Sequence, residues 1–124
     1  MKILYVATDQ QVPGHVGGSV HVACVARELV ELGHDVKVLV SPGDGLFPGD
    51  GAAWTAMSPP LGLRQLRWLQ TSRVTAVAEQ FQPDVVIERY YNFGGEGVQA
   101  ARRVNAVSVL EVNAPIVDYP GSRK

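Results

Sequence analysis

Cysteine is almost missing from this chain: Cys24 is the single one among 124 residues. One thiol closes no internal disulfide, which fits a reducing compartment and leaves stability to an apolar core. No zinc-ligand spacing is present, and no serine or cysteine nucleophile stands in a recognisable setting. Charge of one sign is also missing. Eleven Lys and Arg face twelve Asp and Glu, a formal charge of -1, so the broad positive potential of a nucleic-acid binder is absent. No apolar run is long enough to span a bilayer. The opening apolar run is short, and Thr8-Asp9 follow it as a strand end would, which excludes a signal peptide. These absences predict a cytoplasmic protein.

What is there is a hydrophobic fraction of 46% in a length that favours one domain. Lys2-Ile-Leu-Tyr-Val-Ala7 is a short apolar run rich in β-formers, the pattern of a buried strand. Residues 8–18 carry Pro13, Gly14, Gly17 and Gly18 and predict a loop. Ser19 is a candidate N-cap for a helix over 20–32, with Val22, Val25, Ala26, Leu29 and Leu32 as its apolar stripe. Gly33 suits the position just past its end. A second strand follows at 35–40. Residues 41–51 contain Gly-Asp-Gly twice, but the acidic spacing of a calcium loop is missing and turn chemistry accounts for them.

Residues 53–57 suggest a short strand, and Pro59-Pro60 breaks the chain. The spacing then predicts a helix over 62–82 with Leu66, Leu69, Val74, Val77 and Phe81 on one side. Arg64 and Arg67 interleave with leucines there. The pattern reads as a helix that buries its leucines and solvates its arginines, with peripheral contact to an anionic membrane as the alternative. Pro83 stops the helix, Val85–Glu88 predicts a strand, 94–104 a helix and 107–112 a last strand. Strands alternating with helices imply a parallel sheet.

Ligands of such sheets bind outside the carboxyl ends of the strands. Gly17 and Gly18 lie there and would let a phosphate or sugar approach a helix N-terminus, or would simply permit the turn. His15 shares that loop, as a phosphate contact or a solvated side chain. Arg89-Tyr90-Tyr91-Asn92 directly follows a strand, where arginine suits phosphate and tyrosine stacks on sugars. Glu111 and Asn113 share one face at the end of the last strand, where a carboxylate would orient a substrate hydroxyl or be salt-bridged within the fold. Gly95-Glu96-Gly97-Val98-Gln99-Ala100 matches a dinucleotide fingerprint, but that fingerprint belongs to the first strand-helix turn of its unit. A glycine-softened helix start is favoured over an oxidoreductase site.

Together, Met1-Lys-Ile-Leu-Tyr-Val, Gly17-Gly18-Ser19, Ala26 through Gly33-His34-Asp-Val-Lys-Val, Pro83 through Glu88-Arg89, and Leu110-Glu111-Val112-Asn113-Ala114-Pro115 resemble the N-terminal domain of a family 4 glycosyltransferase of the GT-B fold. The resemblance implies one α/β, Rossmann-like three-layer half of a two-domain enzyme, with a mostly parallel sheet. It implies transfer from a nucleotide-sugar with retained configuration and no metal. Gly17 and Gly18 would approach the donor, while Arg89, Tyr90, Glu111 and Asn113 would line the acceptor side. Many members carry a histidine where this chain has Asn113. The donor-binding C-terminal domain would lie in the same or another chain, so residues 1–124 alone are expected to fold without transferring sugar. The alternative is a non-catalytic interaction module that pairs with a separate donor-binding subunit.

Overall fold

The computed structural model describes residues 1–90 and 94–113. Five strands form one all-parallel sheet: β1 (Lys2–Val12), β2 (Asp35–Pro42), β3 (Ala53–Ala56), β4 (Val85–Arg89) and β5 (Val107–Glu111). Their order is β3-β2-β1-β4-β5. The chain builds outward from β1 to one side, then returns to the other. The reversal between β1 and β4 is where sheets of this kind leave a crevice at their carboxyl ends.

Three helices cover the faces: α1 (Gly17–Glu31), α2 (Thr71–Phe81) and α3 (Glu96–Val104). Period-two alternation splits the core in two. Tyr5, Ala7, Val36, Val38 and Val40 meet Val22 and Ala26 of α1 on one face. Leu4, Val6, Leu39 and Val86 meet Val74 and Ala78 of α2 and Ala100 and Ala101 of α3 on the other.

β1 runs past the predicted end at Ala7. A bulge between Ala7 and Gln11 lets Gln11 and Val12 pair again with Ser41 and Pro42, so part of the expected loop is strand. α1 begins at Gly17, and its N-cap is Val16 without a side-chain cap. Ser19 therefore sits inside the first turn rather than capping it. The helix ends as expected: Gly33 takes φ +93, its N–H reaches Val30 O, and His34 N–H reaches Leu29 O. That is the paired-carbonyl ending that glycine permits. Leu32, counted in the apolar stripe, falls beyond the helix and is exposed.

The predicted helix over 62–82 is broken. Residues Pro60–Gly62 and Arg64–Gln70 are 3-10 helix, and α-helix starts only at Thr71. With three residues per turn, positions i and i+3 eclipse. Arg67 and Gln70 thus share the inward face, with 0% and 1% exposure, while Leu69 and Trp68 turn outward. The expectation of solvated arginines fails at Arg67, which removes its charge from the surface on which a membrane contact would rest.

Candidate functional site

Arg67 is the hub of a buried polar network beneath the carboxyl ends of β1 and β4. Its Nε donates to Glu96 Oε1, and its Nη1 donates to Asp9 Oδ1 at 3.2 Å and to Arg89 O at 3.0 Å. Its Nη2 lies 3.7 Å from Glu88 Oε1. All three carboxylate side chains are almost fully buried. Thr8 Oγ1 also donates to Glu96, at 3.2 Å. Burial raises the Glu96 carboxyl above its ordinary range in spite of the Arg67 charge.

Glu88 closes the start of α3. Its carboxylate accepts the Gly95 N–H at 2.6 Å and the Val98 N–H at 3.1 Å. A Cβ on Gly97 would stand 2.9 Å from Glu88 Cβ, so this glycine exists to let Glu88 pass. The dinucleotide-like run thus packs closely on Glu88, whose carboxylate takes two of the N–H groups at the start of the helix.

The four residues expected on the acceptor side do come together. Arg89 Nη1 lies 3.4 Å from Glu111 Oε1, and Asn113 Nδ2 donates to the same oxygen at 3.0 Å. Tyr90 donates its backbone N–H to Glu111 O at 2.8 Å, and its side chain is 40% exposed. Tyr5 Oη, fully buried, donates to both Glu111 oxygens at 2.9 and 3.1 Å. Burial by itself would raise the Glu111 carboxyl, but the bonds from Asn113, Tyr5 and His21 outweigh it and hold it below the usual range. Burial and the Glu111 charge push the Tyr5 hydroxyl up. Arg89 is also 3.5 Å from Asp9 Oδ2, which links the two networks. Tyr91 and Asn92 lie outside the described residues, as do Ala114 and Pro115.

Gly17 and Gly18 open α1 at the same edge. The first turn has no acidic residue, and the first backbone N–H groups of a helix have no partner within it. A Cβ on Gly17 would meet nothing, whereas one on Gly18 would run into the Gln10 side-chain amide. Gly18 therefore makes room for Gln10. His15 is exposed. A polar crevice of about 240 Å³ lies over β1 and β2, lined by Thr8, Asp9, Ser41 and Ser58 among others. A less polar cavity of about 380 Å³ lies between α1 and the β2–β3 loop.

Sequence reasoning missed Asp9, Arg67, Glu88, Glu96 and His21. A signal existed for Arg67: it lies three, seven and eleven residues before Gln70, Val74 and Ala78, on the stripe that α2 buries. Among the described residues no group of three or more His, Cys, Asp and Glu is arranged to hold a metal. No described helix is long and apolar enough to cross a membrane.

A parallel sheet with helices on both faces and polar side chains gathered at its carboxyl edge defines a Rossmann-like domain, matching one domain of GT-B enzymes. The glycosyltransferase family 4 model matches residues 16–117, and the chain belongs to that family. A glycosyltransferase from Rickettsia africae superposes with a TM-score of 0.62 at 17% identity, over 93% of this chain and 31% of its own. MurG from Acinetobacter baumannii gives 0.53 at 16%, over 88% and 34%. The C-terminal domain of a hydrogenase from Pyrococcus furiosus gives 0.60 at 16%, over 90% of each chain. At such identities these likenesses speak for the fold alone. The chain spans about a third of the length of the two transferases. No curated protein matches it.

Proposed function

We propose that this domain is the acceptor-side half of a nucleotide-sugar-dependent, retaining glycosyltransferase, working with a donor-binding domain in the same or another chain. One observation carries this: the family match spans both the open start of α1 and the Arg89–Glu111–Asn113 cluster. Negative charge grows on the leaving diphosphate during transfer, and backbone N–H groups fixed in advance lower that barrier. Gly17 and Gly18 supply such groups on the donor side. Arg89 draws Glu111 into place, and Tyr90, Glu111 and Asn113 present hydrogen-bonding groups to the acceptor.

The test is a transfer assay over a panel of UDP-, GDP- and ADP-sugars, scored by nucleoside-diphosphate release and product mass. Residues 1–124 alone should give no product, and adding a C-terminal donor-binding half should restore it. Robust turnover by residues 1–124 alone would refute the division of labour. No product from any combination would refute the transferase assignment.

A further inference from the structure

His21 stands one turn into α1, on the flank that faces the ends of β4 and β5. Its Nε2 lies 3.3 Å from Glu111 Oε1. An ionised carboxylate only accepts hydrogen bonds, so the ring nitrogen that meets it carries the proton. In the neutral ring this fixes the tautomer and leaves Nδ1 as a bare lone pair. Among the described residues nothing hydrogen-bonds to Nδ1, and the side chain is 43% exposed. The fold does not need this contact. α1 is anchored by Val22 and Ala26, both at 0% exposure. Glu111 is already held by Tyr5, Asn113 and Arg89. A half-exposed pair adds little stability.

We propose that His21 is the acceptor-binding imidazole of this half-site: Glu111 orients the ring, and Nδ1 accepts a hydrogen bond from a hydroxyl of a neutral sugar or polyol. The proposal rests on the acceptor-side role given above. Tyr5, buried beneath, donates to Glu111 and stiffens the support, as partners behind a binding histidine do.

The test uses residues 1–124 and two neutral probes, myo-inositol and methyl α-D-glucopyranoside. Nitrogen-15 spectra of the ring at neutral pH should show the Nε2–H tautomer, and either probe should shift the Nδ1 resonance saturably. His21→Phe removes the lone pair and should weaken probe binding about tenfold, the loss of one hydrogen bond. His21→Asn, whose oxygen sits near the place of Nδ1, should stay within about threefold of wild type on the same scale. Both variants should melt like wild type. An Nδ1–H ring, no shift with either probe, or equal loss in Phe and Asn variants would overturn the proposal. These readouts need no turnover, so a failed transfer assay and a failed His21 assignment are told apart.

Discussion

Replacing Arg67 by Met should be among the most damaging single changes in this domain. Methionine keeps much of the volume and adapts to irregular space, so the loss is electrostatic. Of the three buried carboxylates, Asp9, Glu88 and Glu96, Asp9 would keep Arg89 at 3.5 Å, itself 14% exposed, while Glu88 and Glu96 would lose the cation they pair with. Removing one partner of a buried ion pair costs about 3–5 kcal/mol. The carbonyl of Arg89, which accepts from Arg67 at 3.0 Å, loses its donor as well, adding about 1 kcal/mol. Domains are stable by about 5–15 kcal/mol, so the variant keeps little at the lower end. Urea unfolding followed by Trp54 and Trp68 fluorescence measures this. The deficit should shrink toward acid pH, because losing the cation raises the carboxyl pKa values of the folded state, and a raised value removes stability as pH rises. Adding Glu96→Gln should recover about 1 kcal/mol or more, since it removes one uncompensated charge. A deficit under about 1 kcal/mol, one that grows toward acid pH, or strict additivity in the double variant would refute the reasoning.

Four further outcomes are expected. Glu96→Gln in the wild-type background should flatten the pH dependence of unfolding: the raised Glu96 pKa gives stability that is full below its ordinary value of 4.5 and falls as pH rises through the folded value, and an unchanged slope would count against that burial. Glu111→Gln should act on the opposite limb, because a lowered pKa gives stability that is full above 4.5 and lost as pH falls through the folded value; denaturation at stepped acid pH reads it. Gly97→Ala should cost about 1–3 kcal/mol by crowding Glu88 at 2.9 Å, with weakened amide protection at Gly95 and Val98 in hydrogen exchange. Calorimetric titration with NAD and NADP should show no saturable binding, since Glu88 already takes the N–H groups a pyrophosphate would use.

Sequence legibility followed from how many neighbours a residue's role requires. The strand expected at 85–88 and the helix expected over 20–32, observed at 85–89 and 17–31, were visible because apolar periodicity is a local signal, and Gly33 because a left-handed helix ending favours glycine. Arg67 was invisible as a core residue because its burial depends on three carboxylates from β1, β4 and α3, up to 58 residues away. Its inward turn depends on a 3-10 stretch that periodicity at 3.6 cannot register. Glu88 looked like a strand-end charge, and only the fold shows it capping a helix that starts eight residues later. Arg89, Tyr90, Glu111 and Asn113 were placed together correctly because register in a parallel sheet pairs Arg89 with Glu111. His21 escaped notice because its partner lies 90 residues on.

Two helix starts meet at the carboxyl edge, and their difference gives the site its direction. α3 begins with Gly95-Glu96-Gly97, the more suggestive run in sequence, yet two of its leading N–H groups are taken by Glu88 and its own acid is bound to Arg67. α1 begins with Gly17-Gly18, has no side-chain cap and no acid in its first turn, and carries His21 one turn later within reach of Glu111. The protein neutralises the first dipole internally and leaves the second facing outward. Among the described residues, the uncapped start of α1 and the His21–Glu111 pair thus lie on one helix, one turn apart, and the donor and acceptor roles proposed above rest on that placement. A transferase needs that juxtaposition, because the diphosphate that leaves and the hydroxyl that attacks must be held side by side.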